Sequence, residues 1–182
     1  MRHVVLASIA VLGLAVAPVF GADEAFVTKA AKGGIAEVEL GKLATQKASA
    51  DNVKQFGQRM VDDHSKANDE LKGIVENKGI TLPDTPQGVQ KTELDSLKSK
   101  KGAAFDKAYA AANVKGHQDA VRLFTTASKS AKDPEIKAFA EKTLPTLKHH
   151  LEMAESIQKS VGMSGRTSKS KPEKVPASDT NT

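Results

Sequence analysis

The sequence predicts an all-α fold, a ferritin-like four-helix bundle with a longer crossover between helices 2 and 3, on two observations. Apolar residues recur at intervals of three and four in four long segments, and no segment alternates convincingly with a period of two. The segments are also matched in length, roughly 26 to 29 residues or about 40 Å each, which suits helices laid side by side.

The first segment runs from about Asp23 to Ala48, with Phe26, Ala30, Gly33, Leu40 and Ala44 on one stripe. Gly33 and Gly34 interrupt it and are expected to permit close packing. The second begins near Asp51, an expected N-cap, carries Val53, Phe56, Met60, Ala67, Leu71 and Ile74, and ends near Asn77, with Gly79 as the stop. The third spans about Ala103 to Ser130, around Phe105, Tyr109, Ala112, Ala120, Leu123, Phe124 and Ala127. The fourth has the sharpest start, with Asp133 as N-cap and Pro134 at the first helical position, and it continues through Ile136, Phe139, Leu144, Leu147, Leu151, Ala154 and Ile157 to Val161. Pro145 inside it predicts a kink. Short hinges make segments one and two, and three and four, antiparallel hairpins. Gly79 to Gly102 is long enough to run up the side of the bundle, and a short helical pattern at Val89, Leu94 and Leu97 lies within it.

The two ends differ from this pattern. A basic head, Met1 to His3, precedes an apolar run from Val4 to Val16 and a break with small residues, so residues 1–21 read as a signal peptide cleaved after Gly21. The apolar run is shorter than the roughly 20 residues of a spanning helix, and no cysteine follows that could carry a lipid anchor. The mature domain, 22–161, is therefore expected to be periplasmic or secreted, with no transmembrane segment. Residues 162–182, rich in Ser, Thr, Lys and Pro, have almost nothing to bury and read as a disordered basic tail.

The net charge of +5 owes much to Arg166, Lys169, Lys171 and Lys174 of that tail, which could hold the protein near an anionic envelope polymer or simply solubilise it. With six Phe, one Tyr and no Trp, stacking platforms for bases are scarce, and nucleic acid is not an expected partner. The chain has no cysteine, so any metal must be held by imidazole, carboxylate or water.

Polar residues that interrupt the apolar stripes carry the functional signal. At about 100° per residue, Glu37 falls close to the centre of the first stripe, His64 lies one turn after Met60, and His150 follows Leu147 by three. His117 lies at the border of its stripe, and His149 projects sideways. Glu37, His64, His117 and His150 all sit near their helix midpoints, so they should share one level whichever way each helix runs. Imidazole and carboxylate suit one divalent transition ion; a hydrogen-bonded polar network is the alternative. Asp63, Asp106, Tyr109 and Asn113 lie at or near the stripe borders, as solvated edge residues or as supporting partners.

The blocks Phe26-Val27, Ala30 to Ala44 (with Gly33-Gly34-Ile35-Ala36-Glu37), Gln58-Arg59-Met60-Val61-Asp62-Asp63-His64, Phe105 to Tyr109 leading to His117, Asp133-Pro134-Glu135-Ile136-Lys137 and Leu144-Pro145 to His150-Leu151 resemble, in order, the bacterial exported family called domain of unknown function 4142. The resemblance covers roughly Phe26 to Ile157. It implies a ferritin-like bundle in the cell envelope, and the family's name assigns no activity. Di-iron proteins of this architecture place Glu three residues before each of two His and a further Glu on each remaining helix. Here Val61, Val114 and Leu147 precede His64, His117 and His150 by three, which argues against di-iron chemistry. The preferred expectation is a helical binding or structural module for an envelope partner, with stress as its candidate context. The alternative is a mononuclear metal protein for storage, buffering or a redox task; no catalytic residue emerges, and enzyme activity is left open.

Overall fold

The computed structural model of the chain describes residues 21–76 and 78–167. The expected signal sequence before Gly21, and the tail beyond Thr167, lie outside the described residues. Among the described residues there are five helices and no strand: α1 (Gly21–Lys47), α2 (Asp51–Val75), α3 (Gly88–Lys98), α4 (Gly102–Ser130) and α5 (Pro134–Thr167). The four long helices are those the periodicity marks out, and α3 is the short pattern of the crossover.

Two buried aspartates fix the directions. Asp23, in the first turn of α1, accepts the backbone N–H groups of Lys132 and Asp133 in the α4–α5 turn at 2.9 and 2.8 Å. Asp106, in the first turns of α4, accepts from the Ser49 and Ala50 N–H groups in the α1–α2 turn, both at 3.0 Å, and from the Ser49 hydroxyl at 2.5 Å. The start of each of α1 and α4 is thus tied to the end of the other, so these helices are antiparallel. Since each is half of an antiparallel hairpin, the chain runs up, down, down, up. The connection between α2 and α4 must then traverse the bundle, with α3 on its outside against α1 and α4. That is the ferritin-like arrangement.

These aspartates also account for two differences from expectation. Asp51 does not cap α2: it is the first helical residue, the N-cap is Ala50, which has no polar side chain, and the Ser49 and Ala50 N–H groups are taken by Asp106 of α4. Asp106 is accordingly buried rather than a solvated edge residue. Asp133 does cap α5, accepting from the Glu135 and Ile136 N–H groups at 2.9 and 3.1 Å. Pro145 lacks an N–H for the Glu141 carbonyl but does not end the helix. Nor does Gly162: α5 runs six residues past Val161 to Thr167, since a glycine costs about 1 kcal/mol against alanine and no proline intervenes before Pro172.

Close packing of α1 on α2 depends on Gly41 and Gly57 rather than on Gly33. A β-carbon on Gly41 would stand 2.5 Å from the Gly57 carbonyl oxygen, and one on Gly57 would stand 2.7 Å from Ala44 Cβ. The space beside Gly33 is open, whereas Gly34 admits the Asn68 side chain. The apolar core is in two parts. One, at the α1–α2 turn, contains Leu40, Phe56, Met60, Phe105, Tyr109 and Ile157; the other, at the opposite end, contains Phe26, Leu71, Phe124, Phe139 and Leu147. His64, His117 and His150 occupy the level between the two clusters.

Candidate metal centre

Each imidazole reaches the middle from a different helix. His64 follows Met60 by one turn on α2, His117 continues the buried line Tyr109, Asn113 on α4, and His150 follows Leu147 by one turn on α5. The three rings form a nearly equilateral triangle, with centroids 5.4 to 5.7 Å apart, and Phe56 lies against two of them at 6.4 Å. One nitrogen from each ring lies within 4.8 Å of the other two. The residues are 8 %, 1 % and 1 % exposed.

The hydrogen bonds decide which nitrogens are free. His117 Nδ1 is 3.0 Å from the Asn113 carbonyl, which can only accept, so Nδ1 carries the proton and Nε2 keeps a lone pair. His150 Nε2 donates to Asp63 Oδ2 at 2.9 Å, which leaves Nδ1 with a lone pair. His117 Nε2, His150 Nδ1 and His64 Nε2 are all buried without a hydrogen-bond partner. Leaving such an atom unsatisfied costs about 1–3 kcal/mol, so three at one level call for a common partner. A carboxylate or carbonyl on the far nitrogen of an imidazole is also the usual support for a metal-binding histidine.

Burial lowers the affinity of all three rings for protons. His117 is brought down to about 4, by burial first and then by His150, against the opposing Asn113 carbonyl. His64 falls well below the ordinary histidine value through burial and its two histidine neighbours. His150 is lowered by burial in spite of Asp63. At neutral pH the cluster is uncharged and its lone pairs have no proton to lose before they bind an ion.

Of the four residues expected to meet, Glu37 is the one that stands apart, and His117, expected at the border, is central. Glu37 Oε1 lies 4.0 Å from His117 Nδ1, the nitrogen already bonded to the Asn113 carbonyl, so the carboxyl approaches the back of that ring. The buried face of α1 is set by Ala36, Leu40 and Leu43, which turns Glu37 toward α3 and α4. There its Oε2 has no partner, and burial, with the Glu93 carboxylate adding to it, pushes its pKa up to about 8. Gly116 makes room: a β-carbon there would stand 3.2 Å from Glu37 Oε1.

Tyr109 and Asn113 are fully buried, not edge residues, and Asp63 is partly covered, its side chain 29 % exposed. The signal available was the i, i+4 series Tyr109, Asn113, His117, which places all three on one face.

The profile of the domain of unknown function DUF4142 matches residues 14–157. The chain belongs to this family. No curated protein matches it in sequence. Among solved structures, CopM in its Cu(II)-bound form is similar in fold, with a TM-score of 0.64 over 76 % of this chain and 96 % of that one at 14 % identity. The DUF4142 match spans both hairpins and includes all three histidines. Among the described residues of this family member no helix is long and apolar enough to cross a membrane.

Proposed function

We propose that this DUF4142 protein binds a single transition-metal ion through His64 Nε2, His117 Nε2 and His150 Nδ1, with Asp63 and the Asn113 carbonyl orienting two of the rings. The observation that carries this reading is that one nitrogen from each of the three rings lies within 4.8 Å of the other two, and that each ring has a buried nitrogen without a hydrogen-bond partner. Three nitrogens on one tetrahedral ion at about 2.1 Å lie roughly 3.4 Å apart, a contraction that small side-chain rotations supply. A neutral three-nitrogen set suits Zn(II), Cu(II), Ni(II) or Co(II) and leaves a coordination position for water. The fold it shares with a Cu(II)-bound protein puts copper first among the ions to test. Carboxylate-rich di-iron chemistry is disfavoured, because the three-histidine group includes no carboxylate.

Storage or buffering is the preferred reading, since the three rings are buried. Export through residues 1–21 is part of this proposal: an envelope protein meets ions directly. A purely structural module remains the second reading, favoured by the match of Asp63 to His150, which would specify packing even without an ion.

The test is elemental analysis of protein purified without a histidine tag, then dialysed against Cu(II), Zn(II) or Co(II) and desalted. One ion per chain is expected, lost in His64→Ala, His117→Ala and His150→Ala. Retention of no ion by the unaltered protein would sink the proposal.

A further inference from the structure

At the α2–α5 seam His150 is held by Asp63, and a cavity of about 560 Å³ whose lining includes residues of α1, α3 and α4 adjoins the centre. His64 and His117 are among the residues lining that cavity, and His150 is not. Three acidic residues line it as well: Asp119 of α4, Glu93 of α3, half-buried, and Glu37, whose Oε1 is 4.0 Å from His117 Nδ1. Gly33 leaves part of the volume open, having no atom within 4 Å of where a β-carbon would stand. An ion with six waters takes up about 200 Å³ at roughly 30 Å³ per water, so the space admits a hydrated cation.

The cover of this cavity is loosely held. α3 lies over the α1–α4 side and buries only Leu94 and Leu97. Gly88 at its start and Gly102 at the start of α4 have φ of +57° and +55°, values that L side chains rarely adopt, so these backbone bends on either side of α3 rely on glycine. A short helix with two buried side chains belongs to the low-stability end of a structure.

We propose that the cavity beneath α3 is the passage by which a hydrated divalent cation reaches the three histidines, with Glu93 as its transient carboxylate ligand and α3 as its cover. The passage rests on the three-histidine reading. Carboxylates suit a hydrated ion and exchange quickly, whereas neutral imidazoles hold a borderline ion more firmly, so the order of ligands runs from weak to strong along the path. Lys115, a lining cation whose charge acts on Glu93, is engaged by Asp119 at 2.9 Å.

The experiment is stopped-flow binding of Cu(II) and Zn(II) to the full chain, with association and dissociation measured separately against a chromophoric chelator. Gly33→Leu, which fills the passage without touching a histidine, should slow both rates at least tenfold and leave Kd within twofold. Glu93→Gln should slow association several-fold, and Leu97→Ala, which loosens α3, should speed both rates. Unchanged rates in all three variants, with the unaltered protein binding normally, would overturn the passage alone. No binding by the unaltered protein would overturn both the passage and the centre.

Discussion

Asp63 of α2 takes the Nε2–H of His150 on α5 at 2.9 Å, while its neighbour His64 offers a free nitrogen to the same centre. Adjacent helical residues point apart, so Asp63 and His64 cannot chelate one ion together. They serve it differently instead: His64 faces the bundle axis, and Asp63 orients a ring from another helix. Asp63→Ala should therefore weaken metal binding about 10- to 100-fold, the usual effect of removing a supporting carboxylate. Competition titration measures it. An affinity equal to that of the unaltered protein would show that His150 needs no such support.

A second prediction concerns the reciprocal clamps between the hairpins. Asp106→Ala leaves the Ser49 and Ala50 N–H groups without their acceptor, and Asp23→Ala does the same to Lys132 and Asp133. Each should cost about 1–3 kcal/mol, or several degrees of melting temperature for a chain of this size. Asp51→Ala should cost almost nothing, because its side chain is 89 % exposed and caps nothing. Thermal melts of the three variants decide it.

The contrast between Asp51 and Asp106 shows how far the sequence could be read. The helices were legible because their period is local, and the level of the histidines was legible because helix midpoints coincide under any topology. Which residue caps α2 was not legible, since the donor groups and their acceptor are 56 residues apart in sequence. Glu37 and His117 exchanged places for a related reason. Wheel angles locate a side chain relative to its own stripe, but the stripe of α1 was centred on Gly33, which faces a cavity, and that of α4 left out Asn113, a polar residue that is fully buried. The tautomers, which decide the free nitrogens, depend on contacts that no pattern encodes.

Glycines that read alike in the sequence should respond with opposite signs. Gly33→Ala adds a methyl group into open space within a helix and should stabilise the protein by up to about 1 kcal/mol. Gly41→Ala drives a β-carbon to 2.5 Å from a carbonyl oxygen of α2, where only backbone movement relieves the clash, and should destabilise by about 1–3 kcal/mol. Urea denaturation of both gives the comparison. Equal effects would contradict the α1–α2 approach described here.

The apo protein should lose stability as the solution is made mildly alkaline, and Glu37 should be the cause. Its carboxyl is raised from 4.5 to about 8, by burial and then by Glu93, so between those values the folded chain holds a proton that the unfolded chain has released. Folding is then linked to proton uptake: the stabilising contribution is complete below about 4.5 and is lost as pH rises through about 8. The histidines act in the opposite direction. Their folded values lie below 6.5, so their contribution is complete above 6.5 and is lost as pH falls, for His117 through about 4. From pH 6.5 to 8 Glu37 therefore dominates among these groups, with a slope of at most about 1.4 kcal/mol per pH unit and a total of at most about 2 kcal/mol. Glu37→Gln keeps the shape of the side chain and removes its titration, so its stability should be flat over that interval while that of the unaltered chain declines. Urea midpoints at pH 6.5, 7.25 and 8, with metal removed by chelation, make the measurement. Parallel declines in the two proteins would mean that some other group releases the proton.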